Sequence, residues 1–438
     1  MGALSQSYER IGKPKRVLLG FSGGMDSLVL FYALRMLQNW ETFSLVCGHI
    51  NHGLRKTSDQ EQQWAEALMR EQGIPLLARR VSVSKIGNLE DNARTARYRA
   101  LESMRAETES DVVALSHHAD DQAETILMHL MRGAGLTGIA GMRELSGRLW
   151  RPFLCLPKKI LKEFAQESGF TWLEDESNRD LRFTRNRIRE NLLPEMESIS
   201  TGFAARMAKN AVLLQDEDAA WKMMEDRWLD KYAKLHPPFT FLLTEPFLHE
   251  SIALRRRLMR KLALSRGIQL DMAQTEVLLD LANQPAGSVF NLPRGEIAYR
   301  SAARLHLILK GDSETQAAWP ALNEIKNTSI LGDGKRIQSF DADLQNGAIL
   351  RKAQPQDRIT PLGMTGTQSL LKYLSARRVD TPFRPFWPVL AKGHQVLWAI
   401  GLGMAQTAAV TENTLRRVTF AFGGLLPDEI DLKGETAC

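Results

Sequence analysis

A chain of 438 residues holds two or three domains, and at that size core burial is not limiting. Its 44% hydrophobic and 25% charged residues are those of a globular protein, and no apolar run reaches the ~20 residues that cross a bilayer. A net charge of +6 favours a polyanionic partner over a cationic one.

Met1 to Ser5 lack a basic stretch followed by an apolar one, so no secretory signal is expected. The first ~195 residues alternate strand-like and helix-like segments, which predicts an α/β domain built on a parallel sheet. The strand-like runs are Val17 to Phe21, Phe43 to Gly48, Leu76 to Val83 and Val112 to Ser116. Between them, Ser58-Asp59-Gln60-Glu61 is a capping box opening a helix through Arg70. A charged helix is expected over Leu89 to Thr108, and another from Asp120 to Arg132, where Gly133 and Gly135 stop it. Gly202 to Leu235 reads as one long helix with an apolar stripe, suited to bridge two domains. A helical pair, Ser251 to Arg266 and Asp271 to Asn283, precedes short strands at Ser288 to Leu292, Glu296 to Arg300 and Arg304 to Leu309. Polar and Gly-rich stretches over 311–345 read as a linker. The expected organisation is a Rossmann-like catalytic domain over 1–196, a mainly helical middle domain over 197–312, and a small α+β domain over 345–438. Cys47, Cys155 and Cys438 are far apart and form no Cys-x-x-Cys. That argues against a disulfide framework or a zinc ribbon and for a reducing cytoplasm.

The chemistry begins at Ser22-Gly23-Gly24-Met25-Asp26-Ser27, directly after the first strand and directly before a helix. Backbone N–H groups in such a turn converge, and the helix N-terminus adds positive potential, so phosphate is the natural ligand. Gly23 and Gly24 let the backbone approach closely, and Ser22 and Ser27 add hydroxyl donors. A carboxylate repels phosphate unless a cation lies between them, so Asp26 reads as a Mg²⁺-side ligand. A mere Gly-Gly turn is the blander reading. The ordinary ATPase loop is excluded, because it needs a Lys where Asp26 stands.

His49-Ile50-Asn51-His52-Gly53-Leu54-Arg55 closes the second strand. In a doubly wound sheet that end faces the ligand, so His52 and Arg55 are expected on the nucleotide; His49 reads equally well as a packed strand-end residue. Ser116-His117-His118-Ala119-Asp120-Asp121-Gln122-Ala123-Glu124 closes the fourth strand and opens a helix. Asp121 and Glu124, three apart, share one helix face. Helix capping accounts for the aspartates alone, whereas an acidic pocket suits Mg²⁺ or an ammonium-bearing substrate. Arg94 and Arg97 also share a face and can clamp a carboxylate or phosphate. Finally, Glu174-Asp175-Glu176-Ser177-Asn178 leads into Arg179, Arg182, Arg185, Arg187 and Arg189, which read as a phosphate-backbone surface or as a solvated basic face.

The loop resembles that of the N-type ATP pyrophosphatases. Taken with HINHGLR, DNARTARYR, SHHADDQAETILMHLMRGAGLTGIAGM, RPF at Arg151 to Phe153 and EDESNRDLRFTRNRIRENLLP, the chain from Gly20 to Pro194 resembles the tRNA(Ile)-lysidine synthetases. The resemblance implies a cytoplasmic ligase using ATP and Mg²⁺. It adenylates C2 of the wobble cytidine in the CAU anticodon of tRNA(Ile), and L-lysine then displaces AMP to give lysidine. Carried over residue by residue, it implies ATP binding by Ser22, Gly23, Gly24, Asp26, Ser27, His52 and Arg55. It implies catalysis by Asp26, Asp121, Glu124 and Arg97, and lysine binding by Arg97, Asp121 and Glu124. Contacts to tRNA are implied for Arg179, Arg182, Arg185, Arg187 and Arg189. A weaker likeness over Gln356-Asp357-Arg358, Pro361-Leu362-Gly363, Leu371-Lys372 and Arg384-Pro385 implies a tRNA-binding C-terminal module, with Arg358 and Arg384 as contacts. There Gln356 stands where the family has Gly, and Gly401-Leu402-Gly403 lacks an expected arginine. No membrane partner is implied, and a homodimer is admitted as the assembly. A tRNA-thiolating relative is the alternative, disfavoured by the sparse cysteines. An amidating ligase acting on a small nucleotide would not need the arginine-rich segment. A catalytically dead tRNA-binding protein would not need the intact loop.

Overall fold

The computed structural model describes residues 1–51, 58–81, 89–173, 181–236, 239–292, 295–308, 322–325, 332–333, 335–345, 347–424 and 426–427. It divides into two compact units, Met1–Ala220 and Trp221–Cys438.

The first unit is α/β. Its elements are α1 (Gly2–Arg10), β1 (Arg16–Gly20), α2 (Met25–Leu37), β2 (Ser44–Asn51), α3 (Ser58–Glu71), β3 (Leu76–Arg80), α4 (Leu89–Glu107), β4 (Val112–Ala114), α5 (Ala119–Met131), α6 (Leu136–Ile139), β5 (Leu145–Ser146), β6 (Leu149–Trp150) and α7 (Lys158–Glu167). After α8 (Thr184–Arg187), a π-helical turn over Ile188–Leu192 leads into α9 (Leu193–Ile199), and α10 (Phe203–Tyr232) begins. The sheet order is β3-β2-β1-β4-β6-β5, parallel except for β5. The four expected strands and the helices between them are all present.

Period-two burial explains the layers. On β1, Val17 and Leu19 face a core shared with Leu4 and Tyr8 of α1, Phe31 and Leu34 of α2, Ala65 and Met69 of α3, and Leu161 of α7. Leu18 points the other way, into a cluster with Val113 and with Leu101 and Met104 of α4. The central strands of this sheet are therefore covered on both faces, as parallel sheets require. The approach is close: a Cβ added at Gly48 would lie 2.8 Å from Met104 Sδ. Strand order reverses between β1 and β4, and a ligand belongs in the crevice outside their carboxyl ends. The serine-glycine loop comes directly after β1 and the double histidine directly after β4.

The second unit carries the remainder of α10, then β7 (Ala233–His236), β8 (Phe239–Leu243), α11 (Thr244–Leu248), α12 (Ile252–Leu264), α13 (Met272–Asn283), β9 (Val289–Asn291), β10 (Ile297–Arg300) and β11 (Arg304–Ile308). These strands form an antiparallel sheet in the order β7-β8-β11-β10-β9. The expected long helix thus ends at Tyr232, and Ala233 to His236 pair with β8 instead. The apolar periodicity of α10 runs on into these residues, which hides the hairpin in the sequence. The expected linker also contains structure. β12 (Asn323–Glu324) and β13 (Ile337–Asp341) flank the late strand β20 (Arg417–Ala421) in a three-stranded sheet.

Beyond α14 (Ala342–Gln345) lie β14 (Ile349–Lys352), β15 (Arg358–Ile359), β16 (Gln368–Ser369), α15 (Leu370–Ala376), β17 (Pro388–Lys392), β18 (Gln395–Ala399), β19 (Gly403–Met404) and β20 (Arg417–Ala421). Trp387 and Trp398 are fully buried among them. Asp357 is fully buried and holds Arg351 through two 2.7 Å hydrogen bonds, while accepting a third from the Gln354 N–H. Gln356 beside it is exposed and its backbone is not left-handed, so a glycine is not needed there. Gly401 and Gly403 do have positive φ, and a Cβ at Gly401 would lie 2.3 Å from Leu426 Cδ1. An arginine still reaches this turn: Arg377 Nη1 donates to the Leu402 carbonyl at 3.0 Å.

Asp357→Ala strands the part-buried Arg351 guanidinium, and breaking such a pair costs about 3–5 kcal/mol. Denaturant unfolding is expected to show a loss of that order in the second unit. A change below about 1 kcal/mol, the range of an exposed surface pair, is the contrary result.

Candidate active site

The phosphate loop is internally braced. Gly23 sits at φ 86°, a conformation that glycine adopts at low cost, and Gly24 is the N-cap of α2 with no side chain capping it. The first-turn N–H groups of α2 are therefore aimed outward for an anion. Ser27 Oγ donates to the Gly24 carbonyl at 2.9 Å and lies 3.1 Å from Ser22 Oγ, which accepts from the Gly24 N–H. Leu173 N–H donates to the Gly23 carbonyl at 3.0 Å, so the segment after α7 clamps the loop. A Cβ at Gly23 would lie 2.9 Å from Leu173 Cδ1.

His49 proves to be the packed residue. It is buried, and its Nδ1 donates to the Phe21 carbonyl at 3.0 Å, tying β2 to the chain just before the loop. Burial pushes its imidazole below its usual value. His52, Arg55 and Arg179 lie outside the described residues.

The end of β4 places the acidic segment beside the loop. His118 is the N-cap of α5 in a reciprocal capping box: its backbone N–H donates to Asp121 Oδ2 at 3.0 Å, and its Nδ1 accepts from the Asp121 N–H. Its Nε2 lies 3.6 Å from Asp26 Oδ2 and 3.4 Å from Asp121 Oδ2. His118 thereby bridges the loop carboxylate and the α5 carboxylate. Burial lowers its affinity for a proton, but Asp121, Asp26 and Asp120 outweigh that and raise it. The adjacent His117 is different: burial pushes it down to about 3, against Asp121 and with the help of Arg151, Arg185 and Arg94. It is neutral at pH 7. Asp120 is structural, accepting from the Lys158 N–H at 2.8 Å at the start of α7.

Asp26 Oδ1 is buried and has no hydrogen-bond partner among the described residues. Among the described residues no cluster of three or more His, Cys, Asp and Glu forms a metal cage. A Mg²⁺ held by one or two carboxylates and by substrate phosphates needs no such cage, and an orphaned carboxylate oxygen beside a phosphate loop fits it.

Asp121 and Glu124 do share one buried face, and the surprise is what meets them. Arg185 Nε donates to Glu124 Oε2 at 2.7 Å, and Arg189 Nε to Oε1 at 2.6 Å. Arg189 Nη2 also reaches Glu124 Oε2 at 2.9 Å and Asp121 Oδ1 at 3.1 Å. Glu124 is fully buried, while the arginine side chains are 17% and 24% exposed. The structure differs from the phosphate-facing surface that the sequence predicts for Arg185 and Arg189: both are turned inward as counter-ions of the carboxylate pair. Their spacing of four matches the carboxylate spacing of three across a helix pair, a signal hidden when they are read as one basic run. Arg182 and Arg187 on the same segment are exposed. Arg97 is exposed on α4, whereas Arg94 is half-buried and its charge is the one felt by His117 and Arg151. Arg358 is exposed, and Arg384 is held by its own unit through the Val379 carbonyl at 2.9 Å.

Burial alone would raise the Asp121 carboxyl, but His118, Arg185 and Arg189 hold it well below the usual carboxylate range. A depressed folded value contributes stability above the ordinary value near 3.8 and loses it as pH falls toward the folded one. Asp121→Asn is therefore expected to melt below wild type at neutral pH, with the gap closing progressively below about pH 4. A gap that is the same at neutral and acidic pH would remove the assigned cause.

A PP-loop domain description matches residues 3–196, and a TilS substrate C-terminal domain description matches 348–419. Over 428 residues the chain is 31% identical to the tRNA(Ile)-lysidine synthase of Geobacter sulfurreducens, with 90% of each chain covered. The chain belongs to the tRNA(Ile)-lysidine synthase family. A second relative of that name, from Caldanaerobacter subterraneus, is 25% identical over 93% of this chain and 94% of its own. One solved structure, a U34-tRNA thiolase from Methanococcus maripaludis, aligns over 49% of this chain and 78% of its own at 18% identity and TM-score 0.43, too distant to bear on activity. Against thiolation within this chain, Cys47 is buried in β2 of the PP-loop domain, where burial pushes its thiol up. Cys155 is exposed, and Cys438 lies outside the described residues.

Proposed function

We propose that the chain ligates L-lysine to C2 of the wobble cytidine in the CAU anticodon of tRNA(Ile), consuming ATP and releasing pyrophosphate and AMP. The observation that carries this is the convergence, at one sheet edge of a tRNA(Ile)-lysidine synthase family member, of a phosphate loop with a buried carboxylate pair.

In the first step the cytidine O2 attacks the α-phosphorus of ATP and pyrophosphate leaves. The loop N–H groups and the Ser22 and Ser27 hydroxyls stabilise the charge that grows on the departing phosphates. Mg²⁺, when bound on the Asp26 side, would neutralise part of that charge. His118 keeps Asp26 and Asp121 in register. In the second step the lysine ε-nitrogen, having lost a proton, attacks C2; the C2–O bond breaks and AMP leaves. Asp121 and Glu124 are the groups suited to receive the ammonium and its proton. An anticodon loop is single-stranded, so the target base can be splayed out without breaking a duplex.

The division of labour in this reading assigns catalysis to 1–196, a middle region to 197–312, and tRNA binding to 345–438. A tRNA substrate puts the work in the cytoplasm. The test is incubation of the protein with ATP, labelled lysine and a CAU-bearing tRNA(Ile) transcript, and then nucleoside analysis. Labelled lysidine is the expected product. A thiolated base, or label that never enters the RNA, would refute the reading.

A further inference from the structure

Glu124 accepts three of the about four hydrogen bonds that a carboxylate can take. Both of its oxygens are taken by Arg185 and Arg189, it is fully buried, and Asp121 Oδ1 is also shared with Arg189. Asp121 Oδ2 accepts from the His118 N–H. The two carboxylates and two guanidiniums sum to zero charge. An incoming ammonium would meet two cations already in place and a carboxylate with no exposed surface. The pair that suits lysine is thus covered by the two guanidiniums in the structure.

We propose that Arg185 and Arg189 serve two anionic partners in turn, holding Asp121 and Glu124 shut until the RNA backbone draws them away and opens the lysine site. The inference rests on the lysidine-forming reading above, and adds the order in which the substrates are admitted.

Three features support it. The arginines keep a fifth of their side-chain surface in solvent despite their pairing, so a phosphate can reach them. They lie on the same segment as the exposed Arg182 and Arg187, which bring RNA phosphate close. And Arg189 sits inside the π-helical turn Ile188–Leu192, between α8 and α9. A π-turn stores one residue of slack within a helix. Releasing that slack as α-helix turns one end of the segment against the other by about 100°, enough to carry a side chain from one face to another. A buried carboxylate does not stay uncompensated, so the lysine ammonium takes the place the guanidiniums leave.

The experiment is equilibrium dialysis of labelled lysine against the full chain, alone and with a CAU anticodon stem-loop RNA. A ligand whose competent state is rarely populated binds more weakly by that fraction. Lysine is expected to bind at least about tenfold more tightly with the RNA present. Arg189→Gln, checked for folding by its melting curve, is expected to bind lysine without RNA more tightly than wild type alone. Equal lysine affinity for wild type with and without RNA overturns the lock. So does a folded Arg189→Gln that binds no better than wild type, and so does an absence of lysine binding in both states. Lysidine formation by the same preparation separates the two levels: product with RNA-independent lysine binding sinks the lock alone, and no product sinks the reading beneath it.

Discussion

Asp26→Ala is expected to abolish AMP formation while leaving the fold intact. Among the described residues its Oδ1 has no hydrogen-bond partner to lose, and its Oδ2 faces His118 at 3.6 Å from a side chain that is about one-third exposed. Little stability therefore depends on it. The loss is that of the carboxylate on the cation side of the phosphate loop. Removing one preorganised electrostatic group from a reacting phosphoryl centre costs about 10²–10³ in rate, and a lost metal site costs more. Turnover and melting temperature are measured on the same sample. A folded variant that releases AMP within about threefold of wild type would dismiss the metal-side role, since that is less than about 1 kcal/mol. Raising Mg²⁺ discriminates further: partial recovery is expected if the cation binds weakly to phosphates alone.

How much of this is legible in the sequence depends on the range of the interaction. The strands Val17 to Phe21 and Val112 to Ser116, and the loop between the first strand and α2, are dictated by local apolar runs and glycines. Their convergence is dictated by the rule that parallel sheets bind ligands at their carboxyl ends. The clamp of Leu173 on Gly23 cannot be read, because it joins residues 150 apart through a backbone hydrogen bond that carries no sequence signature. The arginine segment is the instructive case. A run of five arginines looks identical whether it faces solvent or a buried carboxylate pair, since charge alone does not encode direction. The pairing becomes visible only when α5 and α8 are placed side by side. His118 is conspicuous in the sequence as one of two histidines, yet its bridge between Asp26 and Asp121 depends on the α5 cap geometry.

The two arginines also explain why two carboxylates persist in a buried site. Asp121 and Glu124 would otherwise repel each other. The guanidiniums offset that repulsion and hold the Asp121 carboxyl well below its usual range, at the cost of occupying the pair. A site kept charged by internal counter-ions must exchange those ions for its ligand, so affinity for lysine reports on the arginines as much as on the acids.

Glu124→Gln separates the two substrates. The amide keeps the size and one acceptor of the carboxylate but not its charge. Two arginines then share a single anion at Asp121, so the variant is expected to lose about 3–5 kcal/mol of stability at most, the range for breaking a buried pair. For the substrate, a hydrogen bond between ions contributes about 1.5–3 kcal/mol. The KM for lysine is accordingly expected to rise about 10- to 100-fold. ATP is bound by the loop after β1, whose Ser22, Gly24 and Ser27 contacts do not include Glu124, so its KM is expected to stay within about twofold of wild type. Activation needs ATP and the cytidine, whereas release of AMP needs lysine. Adenylated tRNA is therefore expected to accumulate at low lysine and to be discharged at high lysine. Titrations of lysine and ATP on one folded preparation make the comparison. Equal rises in both KM values would move Glu124 to the metal or the phosphates. No rise in either would leave it as the counter-ion of Arg185 and Arg189 alone.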